Sequence, residues 1–364
     1  MRNALLSLAV LVAVFAAASS APSANTLAPT LTGPSFSSIG PLSFGPDGTL
    51  YAADRQAASI LALDLGAGSA SAVPGTKDIA GIDQKLAAMF GTDAREISIT
   101  DLAVHPKTHN SYLSVMRGQG PAAQAVLVRV DGAGKIETVS LETMKYTSVS
   151  LPNAPDAAAG TRNNRTQSIT HMAYLDGHLY VTGLSNEEFS SKFWSVPYPF
   201  QTADRGTSVE IWHGSHGRFE TNAPIVTFVP MTVASNPTLI AGYTCTPLVR
   251  FPVSDLKPGS KVMGTTIAEL GAGNQPIDMV LYNKDGRQFL LMANTRHGVL
   301  KIATDQFGTA AGIKDPISGT AGIPAEKVTS MPNVVQLDLL DATHSIVLQK
   351  ADSGAVNLQS FPLQ

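Results

Sequence analysis

From residue 39 onward, short apolar runs alternate with tight polar turns, and one order of parts keeps returning. A first run opens on a polar residue followed by Leu or Met. A turn comes next, then a second run ending in small residues, then a polar loop and a third run. The first copy is Pro41-Leu42-Ser43-Phe44, the turn Gly45-Pro46-Asp47-Gly48, and the runs Leu50–Ala53 and Ile60–Leu63. Further copies are anchored at Leu102, Met172, Met279 and Leu337. Asp-Gly between alternating apolar runs, as at Asp176-Gly177 and Asp285-Gly286, is a strong hairpin signal. The interval from Met172 to Met279 is roughly double its neighbours. A degenerate copy fills it: Ile225–Phe228, Thr238–Gly242 and Leu248–Phe251.

Antiparallel units of this size cannot bury their faces singly. Radial repetition into a propeller solves this and leaves only short edges. The chain is therefore expected to be all-β, with a single six-bladed propeller over 39–364 and seven blades as the alternative. Residues 22–38 read as an extended lead-in that adds a strand to the last blade and closes the ring. Two departures stand out. Ile82, Leu86, Met89 and Phe90 fall on one helical face, and Gly91 is a stop, so 82–90 is predicted to be a short helix packed on the ring. Residues 143–168, polar with Pro152 and Pro155, read as a long loop between blades.

The repeats resemble those of exported bacterial propellers of the NHL, YVTN and SMP-30/gluconolactonase-like group. Residues 40–54, Gly-Pro-Leu-Ser-Phe-Gly-Pro-Asp-Gly-Thr-Leu-Tyr-Ala-Ala-Asp, carry the likeness most clearly, and Asp101–Pro106 carries it again. The resemblance covers most of 39–362 at the level of blade pattern. It implies a propeller in a periplasmic or extracellular setting, and no particular activity, since propellers host unrelated functions. The Glu and Asn/Asp set of the calcium-dependent lactonases has no residue-by-residue match here.

The start of the chain supports the same address. Arg2, the apolar run Leu5–Ala18 and the small residues up to Ala21 form a secretory signal peptide over 1–21, too short for a membrane anchor. A secreted or periplasmic protein is expected. Charged residues make up only 15% of the chain and the net charge is −3, without Lys/Arg runs. That argues against nucleic acid as a partner, and no later segment is apolar enough to span a membrane. A monomer binding a small molecule, or an envelope protein or glycan, is the expectation. The single Cys excludes an internal disulfide; an unpaired Cys in an exported chain is buried, metal-bound, paired with another chain or reactive.

Candidate chemistry falls in three places. Pro41, Asp101, His171, Asp278 and Gln336 precede the anchors and should form one level around the axis; His171, Asp278 and Asp101 are the acid–base candidates there. The plainer alternative has such Asp and His residues tying neighbouring blades through hydrogen bonds. The ends of the second strands form a rim carrying Arg55, Arg117, Tyr243, Cys245, Asn294 and Arg296, and the arginines could gather an anionic ligand. Finally, His213 and His216 share a Gly-rich loop at a spacing seen in metal sites. A divalent metal (copper, zinc or calcium) would need a third ligand from His171, His297, Glu220 or Cys245. Two readings follow: a non-catalytic ligand-binding scaffold, slightly favoured, or a metal-dependent redox or hydrolytic enzyme.

Overall fold

The computed structural model describes residues 26–66, 75–156, 164–245 and 247–364. The expected signal peptide lies outside the described residues. Six sheets, antiparallel but for one parallel pair (Thr207–His213 with Lys261–Met263), each begin on an innermost strand, and five of these strands carry the anchors. These innermost strands are Ile39–Phe44, Ile97–Val104, His171–Leu175, Ile225–Val233, Pro276–Lys284 and Val334–Leu339, numbered below as blades 1 to 6. The degenerate copy is blade 4, complete with Asn236–Tyr243 and Pro247–Pro252. The fold is a single six-bladed β-propeller.

Blade order around the ring is not chain order. Innermost strands pack in the cycle 1-3-4-5-6-2 and back to 1. The apolar clusters follow the same cycle. Tyr51, Ile60, Met172 and Trp194 join blades 1 and 3. Ile211, Phe228, Tyr243 and Met292 run through blades 3, 4 and 5. Leu291, Leu337 and Val347 join 5 to 6, Leu113 and Leu348 join 6 to 2, and Leu61 and Tyr112 join 2 to 1. Each such side chain, fully buried, is worth about 1.5–3 kcal/mol over leaving it in water.

Two segments make this order possible. Asp78–Ile79 pairs with Val356–Pro362 and completes blade 6 before the chain enters blade 2. Lys145–Ser150 pairs with Ser59–Leu63 and completes blade 1 on the way from blade 2 to blade 3. The ring is closed by an N-terminal strand, but that strand is 78–79 and not one within 22–38. Leu31–Thr32 instead pairs with Lys145–Ser150 at the outer edge of blade 1. The expected loop at 143–168 thus contains a strand. Its alternation of Thr147 and Val149 with polar residues suits a half-buried edge.

The predicted helix is present at Ile82–Phe90 and ends on Gly91, whose φ of 64° is the left-handed conformation open to glycine. Ile82 and Leu86 pack into the seam between blades 2 and 6. Met89 is 42% exposed, so the buried stripe is narrower than the sequence suggested. Asp83 pins the helix to blade 6 by accepting the amide of Val356 at 3.0 Å.

Side chains on the innermost strands link the blades in one direction around the ring. Asp278 of blade 5 accepts the Leu337 amide of blade 6 at 3.4 Å. Asp338 of blade 6 accepts the Val104 amide of blade 2 at 2.7 Å. Asp101 of blade 2 accepts the Leu42 amide of blade 1 at 2.6 Å. Thr hydroxyls repeat the device: Thr100 donates to the Ile39 carbonyl at 3.0 Å, and Thr170 to the Ile225 carbonyl at 2.5 Å. Five of the six innermost strands shift register close to these positions, at 39/42, 99/101, 225/227, 276/278 and 334/336. A bulge re-aims a side chain and leaves backbone groups unpaired within the sheet; a neighbouring blade's Asp accepts such an amide, and its Thr hydroxyl donates to such a carbonyl.

Replacing Asp101 by Ala leaves the Leu42 amide without its acceptor. Urea unfolding of Asp101→Ala should show a loss of about 1–3 kcal/mol, the cost of an unsatisfied buried donor that had bonded a carboxylate. An unchanged midpoint and slope would show that the tie contributes nothing.

Candidate functional site

The three places singled out in the sequence lie in different environments. Along the axis, the innermost strands enclose a channel of about 430 Å³ lined by Leu42, Met172, Phe228 and Leu337 together with Asp101, His171, Asp278 and Asp338. Asp101 and Asp278 spend oxygens on blade-to-blade amide bonds, the plainer of the two readings. His171 points its Nε2 toward Asp278 Oδ1 at 3.6 Å, with its ring edge-on to Phe228. Gln336 donates to the Thr100 carbonyl at 3.3 Å. Asp338 is the member that the sequence alignment passed over. It follows its anchor instead of preceding it, two residues further along the same strand face.

The channel carboxylates feel one another. Loss of water contact, then the carboxylate of Asp278, pushes Asp338 up to about 7 against the amide bonds from Val104 and Leu339. Desolvation and the charge of Asp278 likewise hold Asp101 well above the ordinary carboxylate range.

The rim arginines do not converge. Arg55 lies across Gly40, where a Cβ would meet its side chain at 2.7 Å; burial lowers its pKa despite the nearby Asp101 and Asp54. Arg117 stands over the Phe90 ring of the helix, 6.0 Å from its centroid. Arg296 borders a separate cavity of about 660 Å³ with Asn294. Asn294 is itself buried and donates to the Met292 and Gly298 carbonyls. Tyr243 is buried in the blade 3–5 core, and desolvation raises its hydroxyl pKa.

The His-rich loop does bring reactive groups together. Thr207–His213 is an outer strand of blade 3, and a single turn over Gly214–His216 leads to Arg218–Glu220, which pairs back on it. Gly217, at φ 60°, makes the reversal. The loop is moored to blade 4. Glu269, fully buried on Thr265–Leu270, accepts the Gly214 amide at 2.6 Å and the Ser215 hydroxyl at 3.1 Å. An acidic residue inside an otherwise apolar strand was the sequence signal for this mooring.

Glu220 sits under both imidazoles. His213 Nδ1 contacts its Oε2 at 2.9 Å, and His216 Nδ1 contacts its Oε1 at 2.6 Å. Desolvation alone would raise the Glu220 pKa, but the bonds to His213 and His216 outweigh it and hold it below the usual value. With Nδ1 occupied on each ring, the Nε2 atoms are the ones left to bind. The rings are 3.9 Å apart, and His213, 1% exposed, has a buried Nε2 without a hydrogen-bond partner. Cys245, on the blade 4 loop after Asn236–Tyr243, completes the group: one donor atom from each of His213, His216 and Cys245 lies within 4.8 Å of the others. Among the described residues this is the one such set of three His, Cys, Asp or Glu side chains. Cys245 takes φ 64°, and its amide is fixed by the Asn274 carbonyl at 2.8 Å. His213 and His216 open on a cleft of about 870 Å³ at the rim, bordered also by Ser185, Thr244 and Gln275. Asp101, His171 and Asp278 line the axial channel and not this cleft.

No family model and no curated protein matches the chain. Solved structures with a similar course of the chain include the mitotic checkpoint complex, at 12% identity and a TM-score of 0.37 over 96% of this chain and 100% of that one. The PQQ-bound aldose sugar dehydrogenase of Streptomyces coelicolor follows at 13% and 0.34, over 93% and 98%. Drosophila semaphorin 1b, extracellular domains 1–2, stands at 11% and 0.35, over 93% and 87%. None of these likenesses assigns a family or a function.

The raised carboxyl pKa of Asp338 has a definite sign. A folded pKa of about 7 against roughly 3.9 unfolded means that the folded state holds the proton more tightly. Its contribution is fully present below about pH 4 and is lost as pH rises through about 7. Urea unfolding between pH 5 and pH 8 should show stability falling by about 2 kcal/mol, allowing for residual solvent screening. The fall should be shallower in Asp338→Asn; equal slopes in the two proteins would remove Asp338 as its source.

Proposed function

We propose that this chain is a metal-dependent propeller protein. His213, His216 and Cys245 hold a transition-metal ion at the rim between blades 3 and 4, and the adjoining cleft brings a small molecule to it. The observation that carries this reading is the pair of imidazoles held by one carboxylate, with the buried Nε2 of His213 left unpartnered and a donor atom of each of His213, His216 and Cys245 within 4.8 Å of the others. A metal-binding His commonly donates its other ring nitrogen to a carboxylate, which fixes the tautomer and strengthens the ligand. Two nitrogens and one sulfur favour zinc or copper over calcium, which takes oxygen ligands. Three protein donors leave a position for water or substrate.

A second reading has support in the channel. There Asp101, Asp278 and Asp338 serve architecture, as in a non-catalytic scaffold that binds an envelope protein or glycan at its mouth. Both readings keep the secreted or periplasmic setting inferred from the leader and from the resemblance to exported NHL, YVTN and SMP-30-like propellers, and both keep a monomer.

Elemental analysis of the untagged protein separates them. One equivalent of a transition metal is expected, falling below about a tenth of that in the His213→Ala/His216→Ala double variant. Metal-free protein that takes up neither zinc nor copper on titration would leave the scaffold reading.

A further inference from the structure

The geometry points to copper as the metal at this site, cycling between its two oxidation states by outer-sphere electron exchange; this rests on the metal-binding reading above. Four features of the site lead there. The donors are two imidazole nitrogens and one thiolate, a set that serves both copper states: the sulfur suits copper(I) and the imidazoles suit copper(II). Among divalent ions an N/S site of given geometry binds copper more tightly than zinc.

Two carboxylates in contact with the loop, Glu220 and Glu269, are committed to structure, while Asp156, Glu187 and Glu188 line the cleft outside it. Glu220 gives one oxygen to each imidazole, and Arg218 also reaches Oε1 at 3.3 Å. Glu269 gives its oxygens to Gly214 and Ser215. A zinc hydrolase needs a carboxylate or imidazole at the metal-bound water to accept its proton, and these two are otherwise engaged. Electron exchange needs no such group.

Rigidity favours the same reading. A site that keeps its ligands in place as the charge on the metal changes loses little to reorganisation. Here both rings are tied to a buried carboxylate, and the loop is moored by a second one on the neighbouring blade. Finally, the two rings differ in exposure. His213 is sealed at 1%, whereas the His216 side chain is 39% exposed. The His216 ring edge therefore offers a path from the metal to a partner in solution. The step is copper(II) plus one electron giving copper(I), with thiolate and imidazoles retained and no proton moved. The electron comes from, and returns to, a one-electron carrier: a small reductant or a redox protein.

The test is competition between metals, followed by spectroscopy on the untagged full chain. Equimolar copper(II) and zinc(II) added to metal-free protein should leave one equivalent of copper bound, with at least about tenfold preference. The product should show a visible thiolate-to-copper(II) charge-transfer band, bleached by ascorbate and restored by ferricyanide. The band should vanish in Cys245→Ser, whose metal-free form keeps the wild-type melting curve. Glu220→Gln retains all three donors but offers one oxygen acceptor in place of two; its copper affinity should fall about 10–100-fold. Retention of zinc against copper would overturn the copper assignment and leave metal binding intact. Copper bound without the band, or with a band that survives in Cys245→Ser, would overturn it as well. Failure to bind either metal would remove the function from which it starts.

Discussion

A buried carboxylate accepting a backbone amide from the neighbouring blade is the contact on which this architecture turns. Blades bury apolar faces against one another, but apolar contact has no direction and would tolerate sliding. The bonds from Asp278 to Leu337, Asp338 to Val104 and Asp101 to Leu42 have direction and reach. At the 5–6, 6–2 and 2–1 seams they fix how far one blade is offset from the next, and they satisfy amides on the open edge of the innermost strands. The same carboxylates are cut off from water and feel the charge of Asp278, so Asp338 and Asp101 hold protons more tightly than isolated aspartates. Cohesion and pH sensitivity have one origin here.

Most of the fold was legible because its signals are local. Alternating apolar residues and Asp-Gly turns are read within a few residues, and blade 4 was recoverable from the interval that it fills. The strand Lys145–Ser150 was not, since its half-polar pattern looks like loop until the edge of blade 1 is present to pair with it. The seam strand Asp78–Ile79 is two residues long and carries no periodicity at all. At the site, His213, His216 and Cys245 could be named from rarity and spacing. The place of Glu220 could not: the sequence offers it as a ligand, whereas the pairing of 211–213 with 218–220 sets it against the Nδ1 edges. The arginines show the converse. They share a position in the repeat but not a destination, because loops of different length carry them to different neighbours.

The His-rich loop is held still by two blades at once. The turn at 214–216 belongs to blade 3, its mooring residue Glu269 and the neighbouring Cys245 belong to blade 4, and neither blade alone contains the group. Packing through Ile211, Phe228 and Tyr243 keeps those blades in register. Precision at the rim therefore comes from the core beneath it together with the loop's bonds to Glu220 and Glu269.

The order of blades in the ring has a consequence for how the molecule is assembled. Residues 171–362 lay down four successive blades, an open arc whose two ends still face water. The gap is filled by the first half of the chain, which leaves the ribosome earlier and must wait. The segment that precedes blade 2 then docks on blade 6 through contacts such as Gly81 to Asn357 and Lys77 to Ser360, each spanning more than two-thirds of the chain. Such closure exacts a large loop entropy and makes for slow folding. The first half of the chain, though made first, therefore completes its packing last.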